Sequence, residues 1–181
     1  VVAVVTAVSD CQAEVVARRA SATLSAATGI LLHADSEASL LSSMCQAAVD
    51  VGGYLFAWYG RMADDPQKSI AHVAASREHV GYLEEIDISW DADSHLGQGP
   101  GSIALREGRV VAIADMREEA AFEPWLQAAT ARGFRSAISL PVVVDGVLDG
   151  AFMVNAAEPR AFDETAVSVL TDLAGQLGYG L

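Results

Sequence analysis

Basic residues are scarce in this chain of 181 residues: 11 Lys and Arg face 24 Asp and Glu, a formal net charge of −13. Such a surface repels phosphate backbones and anionic lipids. The only adjacent basic pair is Arg18-Arg19, far from a basic stripe, so neither nucleic acid nor a membrane surface is expected as a partner. Cysteine is nearly absent as well. Cys11 and Cys45 lie in helix-like contexts, and the plain reading is two reduced thiols of a cytoplasmic chain, not a disulfide. Long apolar runs are missing too: the opening VVAVVTAV falls far short of the roughly 20 residues of a membrane span. No signal-peptide pattern opens the chain. It begins with Val1, not Met, and is expected to be an excerpt of a longer polypeptide. Aromatics make up 7% against 52% apolar residues overall, so a one-domain core must be built mainly from alanine, valine and leucine.

The signatures of catalysis are absent. There is no GxSxG elbow, HExxH, CxxC or zinc-type Cys/His spacing, which leaves no expected catalytic or metal-binding residue. His33, His72, His79 and His95 are scattered, with no i, i+4 pair on one helix. The glycine-rich stretch SHLGQGPGSIALREG, residues 94–108, fails two tests. A phosphate loop needs Lys and then Ser or Thr after its last glycine, and a dinucleotide fingerprint needs GxGxxG. Here Gly97, Gly99 and Gly101 give GxGxG, followed by Ser102-Ile103. The stretch reads first as a turn and hinge. Its second reading is an anion site, formed by the amides of Gly99 and Gly101 at a helix start.

Periodicity organises what remains. Residues 10–32 have helical composition. A second helix follows Asp35 or Ser36, with Leu40, Leu41, Met44, Cys45 and Ala48 on one stripe, and Gly52-Gly53 closes it. Strands are expected at 54–60, 69–76, 84–90 and 109–115. Short helices are expected after the glycine stretch and over 122–133. RSAISLPVVV and VLDGAFMVNA, joined by Asp145-Gly146, form a hairpin. Asp163 caps a last helix reaching Leu181. The result is an α+β domain around a central antiparallel sheet of about six strands. Terminal helices cover one face, and short helices and loops cover the other. Residues 1–33 read as an N-terminal signalling or linker helix, and 34–181 as the domain proper.

Trp58, Trp90, Phe122 and Trp125 flank the glycine stretch or follow it. They read either as core or as the walls of one small-molecule cavity, with Asp115, Arg135 and Asn155 as polar groups that orient a ligand. The ligand expected is anionic or purine-like, and no resident cofactor is expected. Val167, Leu170, Ala174, Leu177 and Leu181 keep heptad spacing, as do Val1, Val4, Val8, Cys11 and Val15. Such seams suit a parallel homodimer through the terminal helices. Packing within one chain would need the same stripe.

Taken in order, GFRSAISLPVVVDGVLDGAFMVNAAEPRAFDE (133–164) and ISWDADSHLGQGPGSIALREGRVVAIAD (88–115) resemble the GAF domain from about Asp35 to Leu181. The 88–115 stretch is similar to a bacterial subgroup found in front of cyclic-di-GMP enzymes and histidine kinases. The resemblance implies a GAF-like fold and a regulatory, non-catalytic sensor bound covalently to an output domain. It also implies a small-molecule effector held between the sheet and residues 97–130, with Arg135-Ser136 at the start of a site strand. The departures are specific. Cyclic-nucleotide-binding members pair a lysine with the aspartate of Asp-Glu. Here Asn155, Asp163 and Glu164 match, but Ala156 replaces the lysine and Pro159 a phenylalanine, so that ion pair cannot form. GAF-type methionine sulfoxide reductases need cysteines near the pocket, and none follows Cys45. A pure dimerisation module with a self-filled cavity remains the other alternative.

Overall fold

The structure is a computed structural model that describes residue 18 and residues 21–181. The expected helix start at residue 10 and the heptad Val1–Val15 lie outside the described residues. Helical residues 21–33 (α1) lead into α2, Glu37–Asp50, whose N-terminus is set by Ser36: its hydroxyl accepts from the Ser39 amide at 3.2 Å. Gly53, at φ 69°, takes the left-handed turn after it. Next come β1 (Phe56–Met62) and β2 (Ile70–Ala75), then α3 (Pro100–Glu107), β3 (Val111–Ile113) and α4 (Glu123–Ala131). The chain ends with β4 (Ser136–Val144), β5 (Val147–Ala156) and α5 (Glu164–Gly180).

The strands form one antiparallel sheet in the order β2-β1-β5-β4-β3. Asp145 (φ 50°) and Gly146 (φ 81°) are both left-handed. A two-residue hairpin loop needs that conformation to match the twist of β4 and β5. The sheet has five strands, not six. Residues 84–90, expected as a strand, make only the single bridge Ser69↔Ser89. The Ser89 amide turns away to donate to the Leu96 carbonyl, while its hydroxyl donates to the carbonyls of Gln67 and Lys68. Two backbone bonds close that bridge, from the Ile70 amide to the Ile88 carbonyl at 3.1 Å and from the Trp90 amide to the Lys68 carbonyl at 2.8 Å, and Ile86 and Ile88 pack inward. β3 is also shorter than the expected 109–115, because the Ala114 carbonyl accepts from Arg160 and Asp115 turns to Arg135.

Because strand side chains alternate, the sheet divides the core in two. Ala57, Tyr59, Ile138, Leu140, Val142, Phe152 and Val154 face α1, α2 and α5 and meet Ala27, Leu41, Met44, Leu170 and Leu177. Phe56, Trp58, Ala137, Ala151 and Met153 point the other way, toward α3, α4 and the 80–90 segment. Leu170, Ala174 and Leu177 are each 2% exposed or less within one chain. The heptad stripe of α5 is therefore consumed by the domain's own core and is not a free dimer seam.

Asp163 caps α5 by accepting from the Ala166 amide at 2.8 Å. Asp163→Ala should lower stability by about 1 kcal/mol, read as a lower urea midpoint at unchanged m-value.

Candidate functional site

On the side of the sheet away from the terminal helices lies a small cavity of about 40 Å³. Its floor is sheet: Trp58 of β1, Ala137, Ile138 and Ser139 of β4, and Met153 and Asn155 of β5. Its roof is the start of α3 (Gly99, Pro100, Gly101), with Phe122 and Trp125 around α4 and Tyr82 and Ile88 from the intervening segment. On β4, bulky Ile138, Leu140 and Val142 join the helix-side core while small Ala137 and Ser139 alternate with them. The void exists because the pocket-facing side chains are short.

The roof is held by close backbone approach. A Cβ on Gly99 would lie 2.7 Å from the Trp125 ring, and one on Gly101 2.7 Å from the Met153 sulfur. Pro100 sits at the first helical position, where a missing N–H costs nothing. Trp125 Nε1 donates to the Asp87 carbonyl at 2.8 Å, and its ring meets Phe122 edge-on at 5.6 Å. The buried Ser102 hydroxyl donates to the Ser89 carbonyl at 2.7 Å, and Arg106 donates to the Gly97 carbonyl at 2.5 Å.

Six of the ten residues expected at the site line the cavity: Trp58, Gly99, Gly101, Phe122, Trp125 and Asn155. Four do not. Trp90 spends its ring N–H on the Ala63 carbonyl and carries the Lys68 ammonium over its face at 5.4 Å. Arg135 and Asp115 are bound to each other, with Arg135 Nε at 3.3 Å from Asp115 Oδ1 and a second contact from its terminal nitrogen to Oδ2. The Ser136 hydroxyl donates to the Glu158 carbonyl. Arg135-Ser136 and Asp115 thus pin loops to the start of β4, and the expected cation at the polar end of the pocket is already neutralised. Sequence reading missed Tyr82, Ala137, Ser139 and Met153. The alternation of small and bulky residues in SAISLPVVV was the signal for two of them.

The Arg135 guanidinium, helped by the Arg117 amide, holds the Asp115 carboxyl below its ordinary pKa. A depressed carboxylate contributes stability that is present above its unfolded pKa and lost as pH falls through the folded one. Asp115→Asn should therefore melt below the parent at neutral pH. The two melting curves should converge once the medium is acidic enough to protonate Asp115.

The lining carries no Lys, Arg, His, Asp or Glu. Its polar side chains are Ser139, 1% exposed, Asn155, 5% exposed, and Tyr82, whose phenol is pushed up by burial and stays neutral. Neither the Ser139 hydroxyl nor the Asn155 carboxamide has a hydrogen bond among the described residues. Their polar atoms open into the cavity; the fully buried side-chain polar atom without a partner among the described residues is Gln176 Oε1, on α5. Cys45, by contrast, lies fully buried in the helix-side core, with the sheet between it and the cavity, and burial pushes its thiol up. No cluster of three His, Cys, Asp or Glu able to hold a metal ion occurs among the described residues.

Comparison with known proteins places this architecture. The family profile of the GAF domain matches residues 34–181. No curated protein sequence matches the chain. Among solved structures, the chain is similar to the GAF domain of an Acinetobacter phosphoenolpyruvate-protein phosphotransferase, at 16% identity and TM-score 0.67 over 87% of this chain and 89% of that one. It is also similar to a free methionine-R-sulfoxide reductase of Neisseria meningitidis solved with its substrate, at 17% identity and TM-score 0.68 over 87% and 85%. A third likeness is to a domain of a Sinorhizobium meliloti protein described as a two-component sensor histidine kinase, at 16% identity and TM-score 0.57 over 81% and 90%. At such identities the solved structures speak for the fold alone, whereas the profile spans most of the sequence. No helix among the described residues is long and apolar enough to cross a membrane. The chain belongs to the GAF domain family.

Proposed function

We propose that this GAF domain is a non-catalytic sensor that binds a small molecule in the cavity beneath α3 and α4. In this reading it acts in a cytoplasmic bacterial signalling protein and relays occupancy through its terminal helices to a covalently attached output domain, a cyclic-di-GMP enzyme or a histidine kinase. The observation that carries the reading is a pair of polar side chains, Ser139 and Asn155, that open without a protein partner into a largely apolar cavity. A cavity meant only to pack would be filled by apolar side chains, whereas ligand sites combine apolar walls with a few polar groups that fix orientation. Such groups are retained where a ligand completes them.

The route to the output is physical. The cavity floor and the helix-side core are opposite faces of the same strands, so Met153 and Phe152 or Ser139 and Leu140 are sequence neighbours on opposite sides. A shift of β4 or β5 on ligand entry is felt by α5 one layer away. Two populations with different ligand affinity are all that regulation requires.

Against an enzyme stands the position of Cys45, the cysteine among the described residues. The reductase of the same fold acts on free methionine sulfoxide, but Cys45 here is inaccessible and lies across the sheet from the cavity. Incubation with free methionine-R-sulfoxide and a dithiol should give no turnover; turnover abolished by Cys45→Ser would overturn the non-catalytic assignment. For the sensor itself, native mass spectrometry of the domain isolated from its own cytoplasm should detect a retained small molecule. Added back at about 100 times its Kd, that molecule should stabilise by about 2.7 kcal/mol, a rise in Tm on the order of 5–10 °C for a chain of this length. A homodimer through the terminal helices belongs to the same proposal. With the α5 stripe buried, it would have to use exposed groups such as Leu32 and Tyr179, 76% and 93% exposed. Sedimentation of the parent and of Tyr179→Asp tests it.

A further inference from the structure

We infer that the cavity selects an uncharged ligand that presents a hydrogen-bond donor and an acceptor side by side, as a primary amide or lactam does, on an apolar ring. The inference rests on the sensing reading of the same cavity and replaces the anionic ligand expected from sequence.

The argument is one of complementarity. A carboxamide offers an acceptor oxygen and a donor nitrogen together, and a serine hydroxyl offers both in one atom. Asn155 and Ser139 thus leave both kinds of demand open. A carboxylate or phosphate accepts only, and would leave the Asn155 oxygen unpaired. An ammonium donates only, and would leave the Asn155 nitrogen unpaired. A neutral amide pairs with both. Strand pairing places Asn155 between Ala137 and Phe56 in the ladder, and Ser139 beside Met153. The two groups therefore sit on adjacent strands of the same apolar floor.

Charge supports the same choice. Three arginines around the roof and the start of β4 are already engaged: Arg135 with Asp115, Arg132 with Glu85, and Arg106 with the carbonyls of Gly97 and Trp90. An anion entering would lose its hydration and meet no cationic side chain in the lining, in a protein of net charge −13. A cation would find aromatic rings but no lining carboxylate. The space is modest. At about 40 Å³ the cavity has room for about three waters. A six-membered ring therefore enters by swinging the unbranched Met153 side chain off Gly101, a movement that thioether can make without distorting the strand.

Three probes with the same ring separate the cases: benzamide, benzoate and benzylamine, titrated into the chain while the side-chain NH2 signals of Asn155 and the melting temperature are followed. Benzamide is expected to shift those signals and raise the Tm, with benzoate and benzylamine at least tenfold weaker. Asn155→Leu should weaken benzamide at least tenfold while the free protein melts at the parent's temperature or above, because an unpartnered carboxamide is gone. A residue kept only for structure would show the opposite in the free protein. If Asn155→Leu does not fold, Ser139→Ala supplies the same comparison. Benzoate or benzylamine binding as tightly as benzamide at Asn155 overturns the neutral-amide inference and leaves the sensor standing. So does benzamide affinity unchanged by either substitution. No perturbation at Asn155 or Ser139 by any of the three, up to their solubility, removes both the inference and the sensor reading beneath it.

Discussion

Trp125→Ala is expected to be the most damaging single truncation on the pocket side, lowering stability by about 3–5 kcal/mol, the usual range for deleting a buried aromatic. Trp125 is 3% exposed, packs its ring against the bare backbone of Gly99 and the edge of Phe122, and donates its N–H to the Asp87 carbonyl. Its loss leaves a hole where α4 meets α3 and strips a hydrogen bond from the 84–90 segment. For a chain of this length the change is on the order of 10 °C in Tm. Added indole should refill the hole and recover part of the loss, because an apolar cavity of that shape binds a ring. Trp90→Ala should cost clearly less, since Trp90 is only part-buried and sits at the periphery of the same cluster. Equal losses at the two tryptophans, or no recovery with indole, would show that the roof does not depend on Trp125.

Two glycines of α5 should respond to the same substitution with opposite signs. Helix propensity alone favours alanine over glycine by roughly 1 kcal/mol at either place. A Cβ on Gly175 meets nothing within 4 Å, so Gly175→Ala should raise stability by up to that amount. A Cβ on Gly178 would lie 2.2 Å from the Val143 carbonyl oxygen. Backbone cannot step aside as a flexible side chain can, so α5 must lift off β4. Overpacking of this kind costs about 1–3 kcal/mol or more, enough to outweigh propensity. Denaturant melts of the two variants decide it, and stabilisation by Gly178→Ala would mean that α5 rides higher on the sheet than described.

The cavity answers to side chains spread over six separate stretches of chain, and the sequence made some of them legible and not others. Trp58, Phe122 and Trp125 were visible because large aromatics are rare here and flank a glycine stretch. Asn155 was visible because it stands in a recognisable strand. Trp90, Asp115, Arg135 and Ser136 were equally plausible on those grounds, and all four turned out to hold loops together. A charged or polar side chain near a pocket in sequence becomes a ligand group or a strut according to its nearest partner in space. For Arg135 that partner is Asp115, 20 positions away.

What the sequence determined by itself is everything that depends on local chemistry and period. The Asp-Gly hairpin, the Ser36 and Asp163 caps, the stripes of α2 and α5 and the alternation of β4 and β5 all follow from backbone preference and from the need to bury one face. Tertiary structure alone decided the rest. It held residues 84–90 to a single bridge beside β2, where the Ser89 amide on the far side of that bridge is taken by the Leu96 carbonyl and not by another strand. It assigned the α5 stripe to the chain's own sheet, where Leu170, Ala174 and Leu177 find apolar partners. It also left Ser139 and Asn155 without partners, because hydrogen-bond satisfaction depends on distances across strands and layers that no sequence period encodes.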